Sequence, residues 1–401
     1  MSASLMSFAP QPLKGAGNGH KIKHVFVIVL ENEGYNNTFG PTSKAPYLAQ
    51  TLAGQGALLT QYYGTGHASL DNYIAMISGQ PATNETRADC QTYADFTRAG
   101  SGLTSDGLAT GSGCVYPASI KTLPDQLNVL GKTWRAYMED MGNDPARESV
   151  TCGHPKLNTA DMTQSAEAPT AAVPNGDQYA TRHNPFAYFH SIIDSPSCNQ
   201  NVVNLSQLST DLGSYETTPN FVFITPNLCN DGHDSPCVTG QPGGLVSANT
   251  WLQTWVPQIM NSEAYLRDGL LVINFDESDL STSVSSGGTV TINAAGTFCC
   301  NQQPGPNLGA FPQSSMIGPY TLNYQSYGGD RTGAVLLSPF IAAGTVSNTP
   351  YNHYSLLKTL EEIFETNGYL GYANAPSLVG FFGCVTSDLT TSATEQFSQC
   401  K

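Results

Sequence analysis

Two pairs of oxygen-bearing side chains, Glu31-Asn32 and Asp276-Glu277, each follow directly on an apolar run, residues 25–30 and 269–275. Carboxylate and carboxamide oxygens are the hard donors that divalent cations take, and histidine widens the choice to zinc and iron. Asn227, Asp231, His233 and Asp234 come after a third run, residues 220–225, and Asn352-His353 open a late helical pattern. Asp and Asn are also ordinary cap and turn formers after strands, so any one of these positions alone reads as structural. Together, the two pairs favour a metal site. Ser69 lies in Gly64-Thr-Gly-His-Ala-Ser-Leu-Asp-Asn-Tyr73 at the start of a helical pattern, with Asn72 three residues on. It reads either as a helix N-cap or as a nucleophile where backbone amides and the macrodipole favour an anion. A serine needs a base or a metal to attack. The residues alone leave both possibilities open.

The elements that must position these groups follow from periodicity. Continuous apolar runs at residues 25–30, 220–225, 269–275 and 333–341 read as strands buried on both faces of a parallel sheet. Helical spacing places Tyr73, Ile74 and Ile77 on one face, then Trp251, Leu252, Trp255 and Ile259, then Leu356, Leu357, Leu360, Ile363 and Phe364. Strands alternating with helices predict an α/β/α sandwich of three layers with a mostly parallel central sheet. In such sheets ligands bind beyond the carboxyl ends of the strands, where the polar pairs fall. Residues 80–118 and 278–328, rich in Gly, Ser, Thr and Asn and each with two cysteines, are expected as Cys-containing loop insertions. The expected organisation is an N-terminal extension over 1–22 and one catalytic domain over 23–401.

Sixteen Lys and Arg against 31 Asp and Glu give a net charge of −15. That excludes general nucleic-acid binding and bulk attraction to anionic membranes. An anionic substrate would need a local positive focus. Ten cysteines without C-x-x-C read as disulfides of an exported protein, with Cys90–Cys114 and Cys384–Cys400 the pairs suggested by proximity. No run reaches the roughly 20 apolar residues of a membrane span. The expected setting is secreted or periplasmic, with a signal peptide already removed.

Read in order, Glu31-Asn32-x-x-Tyr35-x-x-x-Phe39-Gly40, His67-Ala-Ser69-x-x-Asn72-Tyr73, His183-Asn184-Pro185-Phe186, Pro226-Asn227-Leu228-Cys229-Asn230-Asp231-x-His233-Asp234, Asp276-Glu277 and Asn352-His353-x-Ser355 form one set. It resembles the phosphoesterase family of acid phosphatases and bacterial phospholipases C, within the alkaline-phosphatase-like superfamily. The resemblance implies an alkaline-phosphatase-like fold. It implies that Glu31, Asn32, Asp276 and Glu277 hold a metal together with Ser69, the nucleophile. His183, His233 and His353 are implied to contact phosphate or to act as acid and base, and His67, Asn72, Asn184 and Asp231 to bind substrate. Ala68 and Asp71 stand where many relatives have proline, which sets the shape of this loop apart. One divalent ion is expected, because Asn227 takes the place of an Asp in two-metal relatives; Ca, Mg, Mn, Zn and Fe all stay open.

The implied activity is metal-dependent hydrolysis of phosphate esters by a broad-specificity acid phosphatase working through a phosphoserine. Charged histidines would favour an acidic working range. A phospholipase C-type phosphodiesterase is the first alternative; the relatives of that kind carry further C-terminal domains. A non-catalytic binding module on the same fold is the second. The expected partner is a small phosphate ester or a phospholipid, without nucleic acid or stable membrane insertion, and the oligomeric state stays open.

Overall fold

The computed structural model describes residues 22–285, 290–317 and 320–381. At its centre lies a sheet of eight strands. These are β1 (His24–Leu30), β2 (Ala57–Leu59), β3 (Trp134–Met138), β4 (Val202–Asn204), β5 (Phe221–Thr225), β6 (Gly269–Phe275), β7 (Ala334–Leu337) and β8 (Thr345–Ser347). Their spatial order is β8-β2-β7-β6-β1-β5-β3-β4. Neighbours pair in parallel except at β7, which runs antiparallel to both β6 and β2.

Alternation along the strands builds two cores. Three helices cover the faces: α1 (Ser69–Ser78), α2 (Gly244–Met260) and α3 (His353–Phe364). Val25, Val27 and Val29 of β1 pack on one face with Leu70, Tyr73 and Ile77 of α1 and Leu356, Leu357 and Leu360 of α3. Phe26, Ile28 and Leu30 pack on the other with Leu245, Trp251, Leu252, Val256 and Ile259 of α2. With period two, consecutive strand residues face opposite helical layers. That is the predicted three-layer arrangement, and it explains why β1, β5 and β6 read as unbroken apolar runs.

The two loop-like stretches carry sheets of their own, which their Gly- and Ser-rich composition conceals. One contains a hairpin, Thr97–Leu103 with Ala109–Ser112, and the Cys90–Cys114 disulfide. The other supplies Ser281–Val284, Val290–Ala294, Gln313–Ile317 and Tyr320–Tyr324 of a second, four-stranded sheet. Disulfides also join Cys152–Cys198, Cys229–Cys237 and the adjacent Cys299–Cys300. No cysteine is free among the described residues; Cys384 and Cys400 lie outside them. No helix among the described residues is long and apolar enough to cross a membrane.

Helix α3 starts on Asn352, whose side chain accepts from the Ser355 N–H in a reciprocal cap. Near its other end, burial pushes the Glu361 carboxyl up to about 8, against the Leu370 N–H that donates to Oε1 at 2.8 Å. A raised acid keeps its proton in the folded chain and loses it in the unfolded one. Its stabilisation is therefore present below the unfolded value of 4.5 and lost as pH rises through about 8. Glu361→Gln is expected to match wild type near pH ~4 and to exceed it near pH ~9 by on the order of 1–2 kcal/mol in urea unfolding. Equal stability at both pH values contradicts this.

Candidate active site

Because β1, β5 and β6 are adjacent and parallel, their carboxyl ends deliver Glu31-Asn32, Asp231 and Asp276-Glu277 to one edge of the sheet. Glu31, Asp231 and Asp276 are fully buried and Glu277 is 2% exposed. Helix α1 points its first residue at this edge. The Ser69 hydroxyl donates to Glu31 Oε2 at 2.7 Å, and the Tyr73 hydroxyl, one turn on, donates to Glu31 Oε1 at 2.7 Å. The N-cap is Ala68, which makes no side-chain cap. Ser69 is thus the first helical residue and not the capping residue its position suggests. Ala68 sits at φ 150°, ψ 150°, a region almost reserved for glycine, where other residues cost about 1–3 kcal/mol.

Asn72 holds that loop in place. Its Oδ1 accepts from the Thr65 and Gly66 amides at 2.7 and 3.1 Å, and its Nδ2 donates to the Gly66 and Ala68 carbonyls at 2.9 Å each. At Gly66 a Cβ would lie 2.2 Å from Asp71 Oδ2, so the buried Asp71 carboxylate would have to shift. Asn184 likewise turns inward, its Nδ2 donating to the Cys152 carbonyl at 3.1 Å. Both amides donate to backbone carbonyls, while Asn184 Oδ1 is buried without a hydrogen-bond partner.

The histidines divide into different jobs. His67, expected to bind substrate, has Nδ1 on Glu277 and Nε2 on Asp330 at 2.7 Å. Burial opposes its charge, but the two carboxylates prevail and lift it to about 10. Asp330, which also accepts from the Thr297 N–H at 2.6 Å, is held down at about 2, since His67 outweighs burial. The second excursion is thereby latched to the nucleophile loop. His353, expected as an acid or base, places Nε2 2.5 Å from the Asp276 carbonyl and Nδ1 3.0 Å from the Tyr62 hydroxyl. Burial lowers it to about 4, so a neutral ring orients Asp276 and offers neither nitrogen to a ligand. His183 stacks on Tyr73, with ring centroids 5.3 Å apart, and sets Nε2 3.4 Å from Glu31 Oε1 and Nδ1 3.6 Å from Asp231 Oδ2. Burial and the neighbouring Arg182 push it well below its ordinary value. His233 has a side chain 47% exposed and Nδ1 3.0 Å from Asp234 Oδ1. Burial opposes its charge, and Asp234, Asp231 and Glu31 raise it to about 9.

Buried charge decides what the edge could hold. Burial lifts Glu31 to about 7 against the Tyr73 and Ser69 hydrogen bonds. Burial and neighbouring carboxylates raise Asp231 and Asp276 well above the usual range. Asp276 Oδ2, Asp231 Oδ2 and His183 Nε2 are buried without hydrogen-bond partners. Crowded carboxylates with orphaned atoms fit a cation that would repay their desolvation. Among the described residues no three His, Cys, Asp or Glu side chains form a ready ligand group, so the Ser69 hydroxyl and Asn32 carboxamide would have to complete the set. Asn32 Nδ2 donates to Glu31 Oε2 at 3.0 Å, which leaves its Oδ1 for that purpose. Glu277 faces His67 instead.

Several residues of this edge escape sequence reading. Arg182, beside His183, is 7% exposed and keeps its charge because Asp89, Glu31 and Asp231 outweigh burial. Asp330 has no sequence signal, lying 263 residues from His67. Glu139-Asp140 form a second acidic pair, after β3. Their oxygens accept from the Asn227 N–H at 2.9 Å and from Asn227 Nδ2 at 2.7 Å, which fastens Asn227 away from Glu31.

A sequence model of the phosphoesterase family matches residues 42–367. A probable acid phosphatase of Kluyveromyces lactis is 24% identical over 65% of this chain and 49% of its own length. A phosphatidylinositol-3-phosphatase of Mycobacterium tuberculosis is 24% identical over 95% of the chain and 90% of its own length. The chain spans about half the length of the fungal acid phosphatases it matches. Among solved structures, an alkaline phosphatase superfamily protein from Vibrio parahaemolyticus aligns at TM-score 0.44 and 12% identity, over 86% of this chain and 67% of that one.

The His67 latch is open to direct measurement. In wild type the His67 ring should stay protonated through pH ~8 by NMR, and Asp330→Asn should lower its midpoint by about one pH unit or more. An unchanged midpoint contradicts the pairing.

Proposed function

The chain belongs to the phosphoesterase family, and from that premise we propose that it hydrolyses phosphate esters with Ser69 as nucleophile. The observation that carries this is the Ser69 hydroxyl at the N-terminus of α1, donating to Glu31 Oε2 at 2.7 Å. Ser69 Oγ attacks phosphorus, its proton leaving along that hydrogen bond, and the ester P–O bond breaks. His233, protonated up to about 9, gives its proton to the departing alkoxide and then takes one from the water that cleaves the phosphoserine. Inorganic phosphate leaves and Ser69 regains its proton. Tyr73 holds Glu31 through its hydroxyl, and Arg182 balances the entering charge. Glu31, Asn32, Ser69 and Asp276 would hold one divalent cation, which supplies Lewis-acid stabilisation of oxyanions when bound.

Phosphate monoesters are the proposed substrates. The relative aligned over 95% of the chain is named a phosphatidylinositol-3-phosphatase, so soluble and lipid-borne monoesters both belong in the assay. The phospholipase C alternative is tested by the same panel. The disulfides support an oxidising compartment outside the cytosol. Asp234, Asp231 and Glu31 raise His233 to about 9, so a charged His233 would not by itself confine activity to acid.

Ser69→Ala should remove essentially all hydrolysis of p-nitrophenyl phosphate while leaving the melting transition in place; wild-type turnover in that variant refutes the assignment. His233→Gln should slow an alkyl phosphate at least about tenfold more than p-nitrophenyl phosphate, whose leaving group needs no proton, and should erase the alkaline limb. Equal slowing of both esters removes His233 as the acid. Calorimetric titration with Mn²⁺ should show one site, weakened about tenfold or more by Asp276→Asn; unchanged affinity rules out this ligand.

A further inference from the structure

The amide beside the nucleophile is already taken. The Leu70 N–H donates to Asp89 Oδ1 at 3.0 Å, and Asp89 Oδ2 lies 4.0 Å from Arg182 Nε. A backbone amide in the first turn of a helix and a buried guanidinium are the donors an oxyanion seeks. We propose that Asp89 determines specificity at the Ser69 site, as an internal anion seated where oxygens of the substrate phosphoryl group must bind. This rests on Ser69 being the atom that receives phosphorus.

The seat is built, not incidental. Asp89 and Cys90 both adopt left-handed backbone, at φ 52° and 49°, a conformation unfavourable for a residue with a side chain. Cys90 is bridged to Cys114, and Gln164 Nε2 donates to the Asp89 carbonyl at 2.9 Å. Disulfide and hydrogen bond hold the carboxylate against α1 from two sides. An entering phosphoryl group must displace it or sit beside it. Repulsion from one fixed negative charge grows with the charge of the ligand. Inorganic phosphate and monoester dianions are therefore penalised more than diester monoanions. Asp89 thus limits product inhibition and narrows the gap between the two substrate classes.

The test measures binding of inorganic phosphate by calorimetry, which needs no turnover. Asp89→Asn keeps an acceptor for the Leu70 amide and removes the charge; Asp89→Ser serves as a second variant if the first melts early. Expected is phosphate binding tighter by about tenfold or more, together with a similar rise in the kcat/KM ratio of p-nitrophenyl phosphate over its bis-ester. Phosphate affinity equal to or weaker than wild type in both folded variants overturns the proposal. The Ser69→Ala assay reports separately on the nucleophile, so loss of one idea is not read as loss of the other.

Discussion

Repulsion among Glu31, Asp231, Asp276 and Glu277, buried together at the ends of three adjacent parallel strands, is the constraint to which the rest of this molecule responds. Ionised carboxylates out of water are tolerable only beside protons, cations or donors. The chain supplies several: the His67 imidazolium against Glu277, Arg182 near Glu31 and Asp231, and hydroxyls from Ser69 and Tyr73 on Glu31. What these leave unsatisfied, Asp276 Oδ2 and Asp231 Oδ2, is the capacity a bound cation would use. An acidic protein would take an anionic substrate here only because charge at this edge is balanced locally and not by the surface.

The scaffold makes that crowding possible. Parallel strands place their carboxyl ends side by side, and two helical layers exclude water from both faces. One residue at a strand end can serve both the site and its support. The Asp276 carbonyl receives the His353 ring while its carboxylate accepts from the Asn32 amide at 3.0 Å. The second excursion is tied to the nucleophile loop through Asp330 on His67 and through Gln302 Nε2, which donates to the Thr65 carbonyl at 2.6 Å. The first meets α1 where Asp89 accepts from the Leu70 N–H and where the Gln80 N–H donates to Ser78 Oγ.

The fold was largely legible because its strands are unbroken apolar runs and its helices carry a clear 3.6-residue stripe. So was the meeting of Glu31, Ser69 and Asp276, whose residue types follow buried strands or open a helix. What composition hid were the small sheets inside polar, Gly-rich stretches, where no apolar alternation marks a strand. Side-chain direction was hidden too. Histidines 67, 183, 233 and 353 look equivalent in sequence, yet their neighbours make one an imidazolium latch, two buried neutral rings and one a half-exposed ring beside Asp234. Asn72 and Asn184 show the same limit: a motif position says that an amide is needed, not whether it faces a ligand or its own loop. Asp89 and Asp330 gave no signal, since only tertiary contact across distant segments brings them to α1 and His67.

The account stands on phosphorus passing through Ser69. Wild-type protein turning over a phosphate monoester, quenched in acid and digested, can be read peptide by peptide by mass spectrometry. The account predicts one phosphoryl group on the peptide containing Ser69, present only while substrate remains. A phosphoryl group found on a histidine, or burst turnover that leaves the Ser69 peptide unmodified, would contradict it.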